Sequence, residues 1–216
     1  MVVKMKAESI IFDMDGTLWD SSENVAASWT ETVRTCGDPM LRNMIITGED
    51  IRGVMGLPMT DIAKKLFPQL SETRQSEILD KCAENENNYL AAHGGILYPQ
   101  LEETLKELSK EHRLFIVSNC QCGYIEAFFE FCGPESLFTD YLCWGDTLKP
   151  KSETIKLLMK KNRCESAVYV GDTQGDFDAA RAAGIPFIHA AYGFGAISGV
   201  PEASVSSFGE LKEIII

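Results

Sequence analysis

Short apolar runs alternate with helix-length stretches along most of the chain. Ser9 to Phe12 is apolar, rich in isoleucine, and stops abruptly at Asp13, Asp15 and Gly16, the pattern of a buried strand meeting a polar loop. Arg113 to Val117, Tyr141 to Cys143, Ala167 to Val170 and Ile185 to Ile188 repeat that character, with helical spacing between most of them. Such alternation predicts an α/β fold, a Rossmann-like parallel sheet flanked by helices. Between about Ser21 and Gly95 the rhythm breaks: no strand pattern is found, while Glu23 to Arg34, Thr60 to Leu66 and Glu72 to Ala92 read as helices. The polar Asp20-Ser21-Ser22 turn and the Gly94-Gly95 pair with Pro99 punctuate its two ends. The expected organisation is a core of residues 1–20 and 96–216, with a helical cap domain of residues 21–95 inserted after the first strand.

Two acidic pairs fall where this pattern ends its strands. In IIFDMDGTL, alternation along an extended chain sends Asp13 and Asp15 to the same side. The ligand crevice of a parallel sheet lies beyond the carboxyl ends of its strands, so both acids meet whatever is bound. In VYVGDTQGDFD, Asp172 follows a strand and Asp176 starts a helix. Together Asp13, Asp15, Asp172 and Asp176 offer hard oxygen ligands of the kind that suit Mg2+. The competing reading of the second pair is helix capping, with Asp178 complementing the dipole in the first turn. Ser118 and Asn119 end a further strand ahead of a helix from about Gly123, where a hydroxyl, an amide and helix N-terminal N–H groups can hold an anion.

Composition narrows the partners. The 216 residues are 45% hydrophobic and 24% charged, ordinary for a folded globular chain. The net charge of -12 repels a phosphate backbone, which argues against nucleic acid as a partner. Seven scattered cysteines without paired CxxC spacing point to reduced thiols in a cytoplasm, and the charged N-terminus builds neither a signal peptide nor a membrane span. The expectation is a cytoplasmic protein that does not bind membranes, a monomer or weak homodimer. Inert thiols are favoured over a redox role for Cys120 and Cys122, and His93, His112 and His189 stand too far apart for a metal site.

These residues resemble the haloacid dehalogenase-like superfamily, in particular its phosphatases with a helical cap of the phosphoglycolate phosphatase-like branch. DMDGTL is similar to the family's first motif, Ser118-Asn119 to the second, Lys149-Pro150-Lys151 to the third and GDTQGD to the fourth, in the same order. Tyr98-Pro99-Gln100 resembles a turn that follows the cap, with Gln100 in place of a glycine.

The resemblance implies a Mg2+-dependent phosphatase acting on a small phosphorylated metabolite, a phosphoglycolate-, sugar- or nucleotide-phosphate-like monoester. Asp13 is then the nucleophile that forms an aspartyl-phosphate, and Asp15 the general acid and base. Asp13, Asp172 and the Asp15 carbonyl hold the metal with Asp176 in support, while Thr17, Ser118, Asn119 and a lysine receive the phosphoryl oxygens. The Lys-Pro form of the third motif selects Lys149; counting from Thr147 and from the following helix selects Lys151, which is favoured. In the cap, the loop GEDIRGVMGLPM is expected to reach the crevice through Arg52. The segment Tyr192 to Gly195 is expected near the site, without a catalytic role. Asp15 argues against a dehalogenase. A sugar phosphomutase of the β-phosphoglucomutase type and a non-catalytic binding protein remain the alternatives.

Overall fold

Strand β1 (Ser9–Phe12) is buried along its whole length, as a central parallel strand covered on both faces must be. In the computed structural model, which describes residues 4–133 and 135–216, it lies between two parallel neighbours, β4 (Arg113–Ser118) and β6 (Ala167–Gly171). Beyond them the sheet continues through β5 (Phe138–Cys143) on one side and through β7 (Phe187–Ala190) and β8 (Ala203–Val205) on the other. All pairings in this six-stranded sheet are parallel, in the order β5-β4-β1-β6-β7-β8. Register decides what meets at its end. Phe12 pairs with both Ile116 and Val170, so Asp13, one residue on, and Ser118 and Asp172, two residues on, all leave the same end of the three central strands.

Alternation divides the strand residues between the two faces of the sheet. Ile11, Phe115, Val117, Tyr169 and Phe187 pack against Ile155 and Leu158 of α8 (Lys151–Asn162) and Ala180 of α9 (Gln174–Ala183). On the opposite face the Phe12 ring meets Phe208, in a turn that packs on α5 (Leu101–Leu108) and on α10 (Leu211–Ile214). The short helix α7 (Trp144–Thr147) follows β5 directly. Two-residue strands β2 (Trp19–Asp20) and β3 (Ile96–Leu97) mark where the chain leaves and rejoins this part of the fold.

Contacts divide the chain into two units: Met1–Asp20, Leu97–Cys122 and Pro134–Ile216 form one, Ser21–Ile96 and Gly123–Gly133 the other. The second is helical, built from α1 (Ser22–Thr35), α2 (Gly48–Arg52), α3 (Met59–Leu66), α4 (Glu72–His93) and α6 (Tyr124–Cys132). Its interior holds Trp29 stacked on Phe67, and the Trp29 indole N–H donates to the buried Glu86 carboxylate. The sequence reading placed everything from residue 96 onward in the core. Helix α6 departs from it: it packs against α4, and Tyr124 shares a 2.9 Å hydrogen bond with Ser21.

Three local differences have identifiable causes. The strand expected at Ile185 to Ile188 starts at Phe187, because Gly184 ends α9 in a left-handed conformation and Pro186 has no N–H for the ladder. The segment expected as a loop around Arg52 contains α2, whose N-terminus is a capping box in which Thr47 and Asp50 bond each other's backbone. Strand β8 had no separate apolar run to announce it; its burial pattern is mixed.

Candidate active site

Burial forces the polar ends of β1 and β6 together with the first residue of α8. Asp13, Asp172, Asp176 and Lys151 are each at most 6% exposed. The Lys151 ammonium donates to Asp13 Oδ1 at 2.9 Å and to Asp176 Oδ1 at 2.6 Å. Carboxylate oxygens of Asp13, Asp172 and Asp176 all lie within 4.8 Å of one another. Burial alone would lower the Lys151 pKa, but the Asp13 and Asp176 charges raise it well above its ordinary value. Lys151 is therefore a fixed cation. Lys149 is exposed and lies outside this cluster, so of the two candidate lysines the fold brings only Lys151 to the aspartates. Pro150 caps α8, and the backbone turns in one residue from a surface position to a buried one.

One ammonium does not balance the carboxylates around it. Burial and the Asp176 charge push Asp13 up to about 7 against the pull of Lys151. Burial, with the charges of Asp176 and Asp13, pushes Asp172 up to about 8 against the hydrogen bonds it accepts. The Asp15 charge also acts on Asp13; Asp15 itself is half-buried.

The two acids of GDTQGD have different local duties. Asp176 Oδ2 accepts from the Thr173 N–H at 3.0 Å and the Thr173 hydroxyl at 2.7 Å, while its other oxygen takes Lys151. Thr173 is the N-cap of α9, and Asp176 is its partner in the capping box. The capping reading therefore holds for Asp176, alongside its ion pair. Asp172 Oδ2 accepts from the backbone N–H groups of Phe194 at 2.7 Å and Gly195 at 3.2 Å, leaving Oδ1 buried without a hydrogen-bond partner. Gly16, at φ +79°, lies so close that a Cβ there would fall 2.2 Å from Asp172 Oδ2. Only glycine makes this turn at this distance.

An all-oxygen cluster with a buried, unpartnered carboxylate oxygen and excess negative charge fits a hard divalent cation such as Mg2+. Asp13 and Asp172 have the free capacity. Asp176 is spent on Lys151 and Thr173 and acts through them.

Thr17 is fully buried, and its hydroxyl has no hydrogen-bond partner. Ser118 is buried and Asn119 half-buried at the end of the neighbouring strand β4. Arg52 lies at the end of α2 in the helical unit, partly exposed and paired with Glu23 at 3.0 Å. The segment Tyr192 to Gly195 has a positioning role that its sequence did not disclose: besides the two N–H groups on Asp172, the Tyr192 hydroxyl donates to the Thr17 carbonyl at 2.8 Å. His189 also reaches the Asp172 carbonyl, at 3.2 Å. No sequence signal distinguishes these backbone contacts.

The family model for haloacid dehalogenase-like hydrolases matches residues 10–190, which includes Asp13, Asp15, Thr17, Ser118, Asn119, Lys151, Asp172 and Asp176. The chain belongs to that family. Among curated relatives, the phosphoglycolate phosphatase of Vibrio vulnificus (strain CMCP6) is 26% identical over 233 residues, covering 100% of this chain and 99% of the relative. The phosphoglycolate phosphatase of Colwellia psychrerythraea is 28% identical over 198 residues, covering 87% of this chain and 85% of its own. Among solved structures, a haloacid dehalogenase-like family hydrolase from Streptococcus pneumoniae aligns with a TM-score of 0.77 at 25% identity, covering 96% of this chain and 97% of that one. CbbY from Rhodobacter sphaeroides, solved in complex with phosphate, gives a TM-score of 0.76 at 21% identity over 95% of this chain and 96% of its own. This haloacid dehalogenase-like hydrolase is thus similar along its length to phosphoglycolate phosphatases. Among the described residues, no helix is long and apolar enough to cross a membrane.

Proposed function

We propose that the protein is a cytoplasmic Mg2+-dependent phosphatase that hydrolyses a small phosphomonoester through an aspartyl-phosphate on Asp13. The observation that carries this reading is the Lys151 ammonium clamped between Asp13 and Asp176 at the sheet end, beside an unpartnered Asp172 oxygen. A nucleophilic carboxylate must be ionised, and burial works against that in Asp13. Lys151 offsets part of that penalty.

A divalent cation held by Asp13, Asp172 and the Asp15 carbonyl supplies, when bound, the remaining positive charge that lets a phosphate dianion approach carboxylates. The Asp13 carboxylate oxygen attacks phosphorus, and the bond from phosphorus to the ester oxygen breaks. Asp15 protonates that departing oxygen. It then takes a proton from the water that attacks the aspartyl-phosphate, releasing phosphate and restoring Asp13. The unpartnered Thr17 hydroxyl, Ser118 and Asn119 supply hydrogen bonds to the phosphoryl oxygens in transfer. Tyr192, Phe194 and Gly195 act one step back, fixing Thr17 and Asp172. The helical unit serves as the cap, with Arg52 its candidate substrate contact.

The test is phosphate release from an aryl phosphate and a panel containing phosphoglycolate, sugar phosphates and nucleoside monophosphates, with Mg2+ and with EDTA. Metal-dependent release is expected. Interconversion of sugar phosphates without net phosphate would instead favour a mutase, and absence of turnover in folded protein that still binds the phosphorylated ligands would favour a binding protein.

A further inference from the structure

Next to the phosphate-binding candidates lies a second convergence of ligand atoms that the proposed chemistry does not use. Cys143 is the last residue of β5 and pairs in register with Ser118, so it stands at the same end of the sheet. The 120–122 segment folds back onto it. Gly145 N–H donates to the Cys120 carbonyl at 3.1 Å, and a Cβ on Gly145 would fall 2.3 Å from Cys122 N. Only glycine allows so close an approach, and the result is that Cys122 Sγ, Cys143 Sγ and an Asp146 carboxylate oxygen all lie within 4.8 Å of one another. The Cys122 thiol donates to Asp146 Oδ1 at 3.5 Å, and Asp146 Oδ2 accepts from the Cys143 N–H at 2.8 Å, which holds the carboxylate facing the sulfurs. Cys143 is 3% exposed, whereas Cys122 is exposed. The cluster therefore has a rigid floor and an open side.

We propose that Cys122, Cys143 and Asp146 form a site for a thiophilic divalent cation of the Zn2+ or Cd2+ class, separate from the carboxylate site. Two sulfurs and one carboxylate oxygen are the donor set such ions favour and Mg2+ does not. Ligand atoms in a tetrahedral zinc shell stand roughly 3.5 to 3.8 Å apart, given metal–ligand bonds of about 2.0 to 2.3 Å. Small side-chain rotations reach that shell from the present spacing, and water on the open side completes it. Binding exchanges the two thiol protons for the cation and leaves the sulfurs as thiolates. The same geometry disfavours a peroxide-sensing role, because burial, Cys143 and Asp146 push the Cys122 thiol up to about 11, away from the reactive thiolate. Cys120, whose sulfur is shared between Ser118 and Cys143, connects the site to the phosphate-binding strand end.

Titration of the full-length reduced chain with Cd2+, in saturating Mg2+ to fill the carboxylate site, reads the thiolate-to-metal absorption band directly and does not depend on any activity. One equivalent is expected to saturate the band. Cys122→Ser, at an exposed position, should weaken the affinity by at least about a hundredfold, since loss of a ligand exceeds the 10 to 100-fold cost of losing an outer-shell partner. Asp172→Asn and Cys36→Ser should leave the band in place. A wild-type chain without the band, a Cys122→Ser chain that titrates with the wild-type affinity, or a band that depends on Cys36 would overturn the site.

Discussion

The sheet unit and the helical unit both bury carboxylates, with opposite outcomes. In the helical unit Glu86 stands among apolar helix faces and accepts the Trp29 indole N–H. It is a structural pair. At the sheet end, Asp13 and Asp176 share the ammonium of Lys151 with Asp172 beside them, and Asp13 and Asp172 are driven far above the ordinary carboxylate range. A fold that needed only stability would gain from replacing such a cluster with apolar groups. Buried carboxylates crowded against one another are therefore the mark of the site, and a buried carboxylate held by a neutral N–H donor is the mark of the scaffold.

The comparison breaks most visibly at Asp13. Asp13→Asn should cost at least about a thousandfold in phosphate release, the scale of removing a covalent nucleophile, in protein that still melts cooperatively. A retained rate would remove the unbalanced cluster from the chemistry. Next in size is Lys151→Ala, which leaves two buried carboxylates without their cation and should lower stability by about 3 to 5 kcal/mol as well as abolish turnover. Lys149→Ala, on the exposed side of the same turn, should stay within about 0.5 kcal/mol in denaturant unfolding. Equal losses from the two lysines would contradict the assignment.

The pH dependence sharpens the contrast. Asp13 and Asp172 titrate near 7 and 8 in the folded chain against 3.8 ordinarily, so the folded state holds more protons across that interval. Stability without a divalent cation should then fall as pH rises from about 4 to about 8, because the slope follows the protons bound in the unfolded state minus those bound in the folded state. Added Mg2+ should raise the melting temperature more at pH 8 than at pH 5. A flat profile would mean that the carboxylates are not held under strain. The smallest effect belongs to the other carboxylate: Glu86→Gln should cost about 1 to 2 kcal/mol through a weaker bond to Trp29 while leaving turnover per folded molecule unchanged.

What the sequence disclosed follows the range of the interactions involved. Buried parallel strands advertise themselves as apolar runs, and DMDGTL and GDTQGD each carry their acids within one turn of a strand end, so the sheet and its aspartates were readable. The motif lysine was ambiguous because Lys149 and Lys151 differ only in where Pro150 lets α8 begin, and burial of one but not the other is a tertiary fact. The helix at Arg52 was missed although Thr47 and Asp50 have capping-box spacing; its five residues are too few for a periodic pattern. Membership of α6 in the helical unit, the amide donors of the 192–195 segment and the meeting of Cys122 with Cys143 all depend on residues distant in sequence. No local pattern contains them.

The most direct test of the central claim is mass analysis of the chain quenched in acid during turnover of an aryl phosphate with Mg2+. The account predicts one phosphoryl adduct, on the peptide that contains Asp13, absent from Asp13→Asn and absent when EDTA replaces Mg2+. An adduct on another residue, or phosphate release at the wild-type rate by Asp13→Asn, would contradict it.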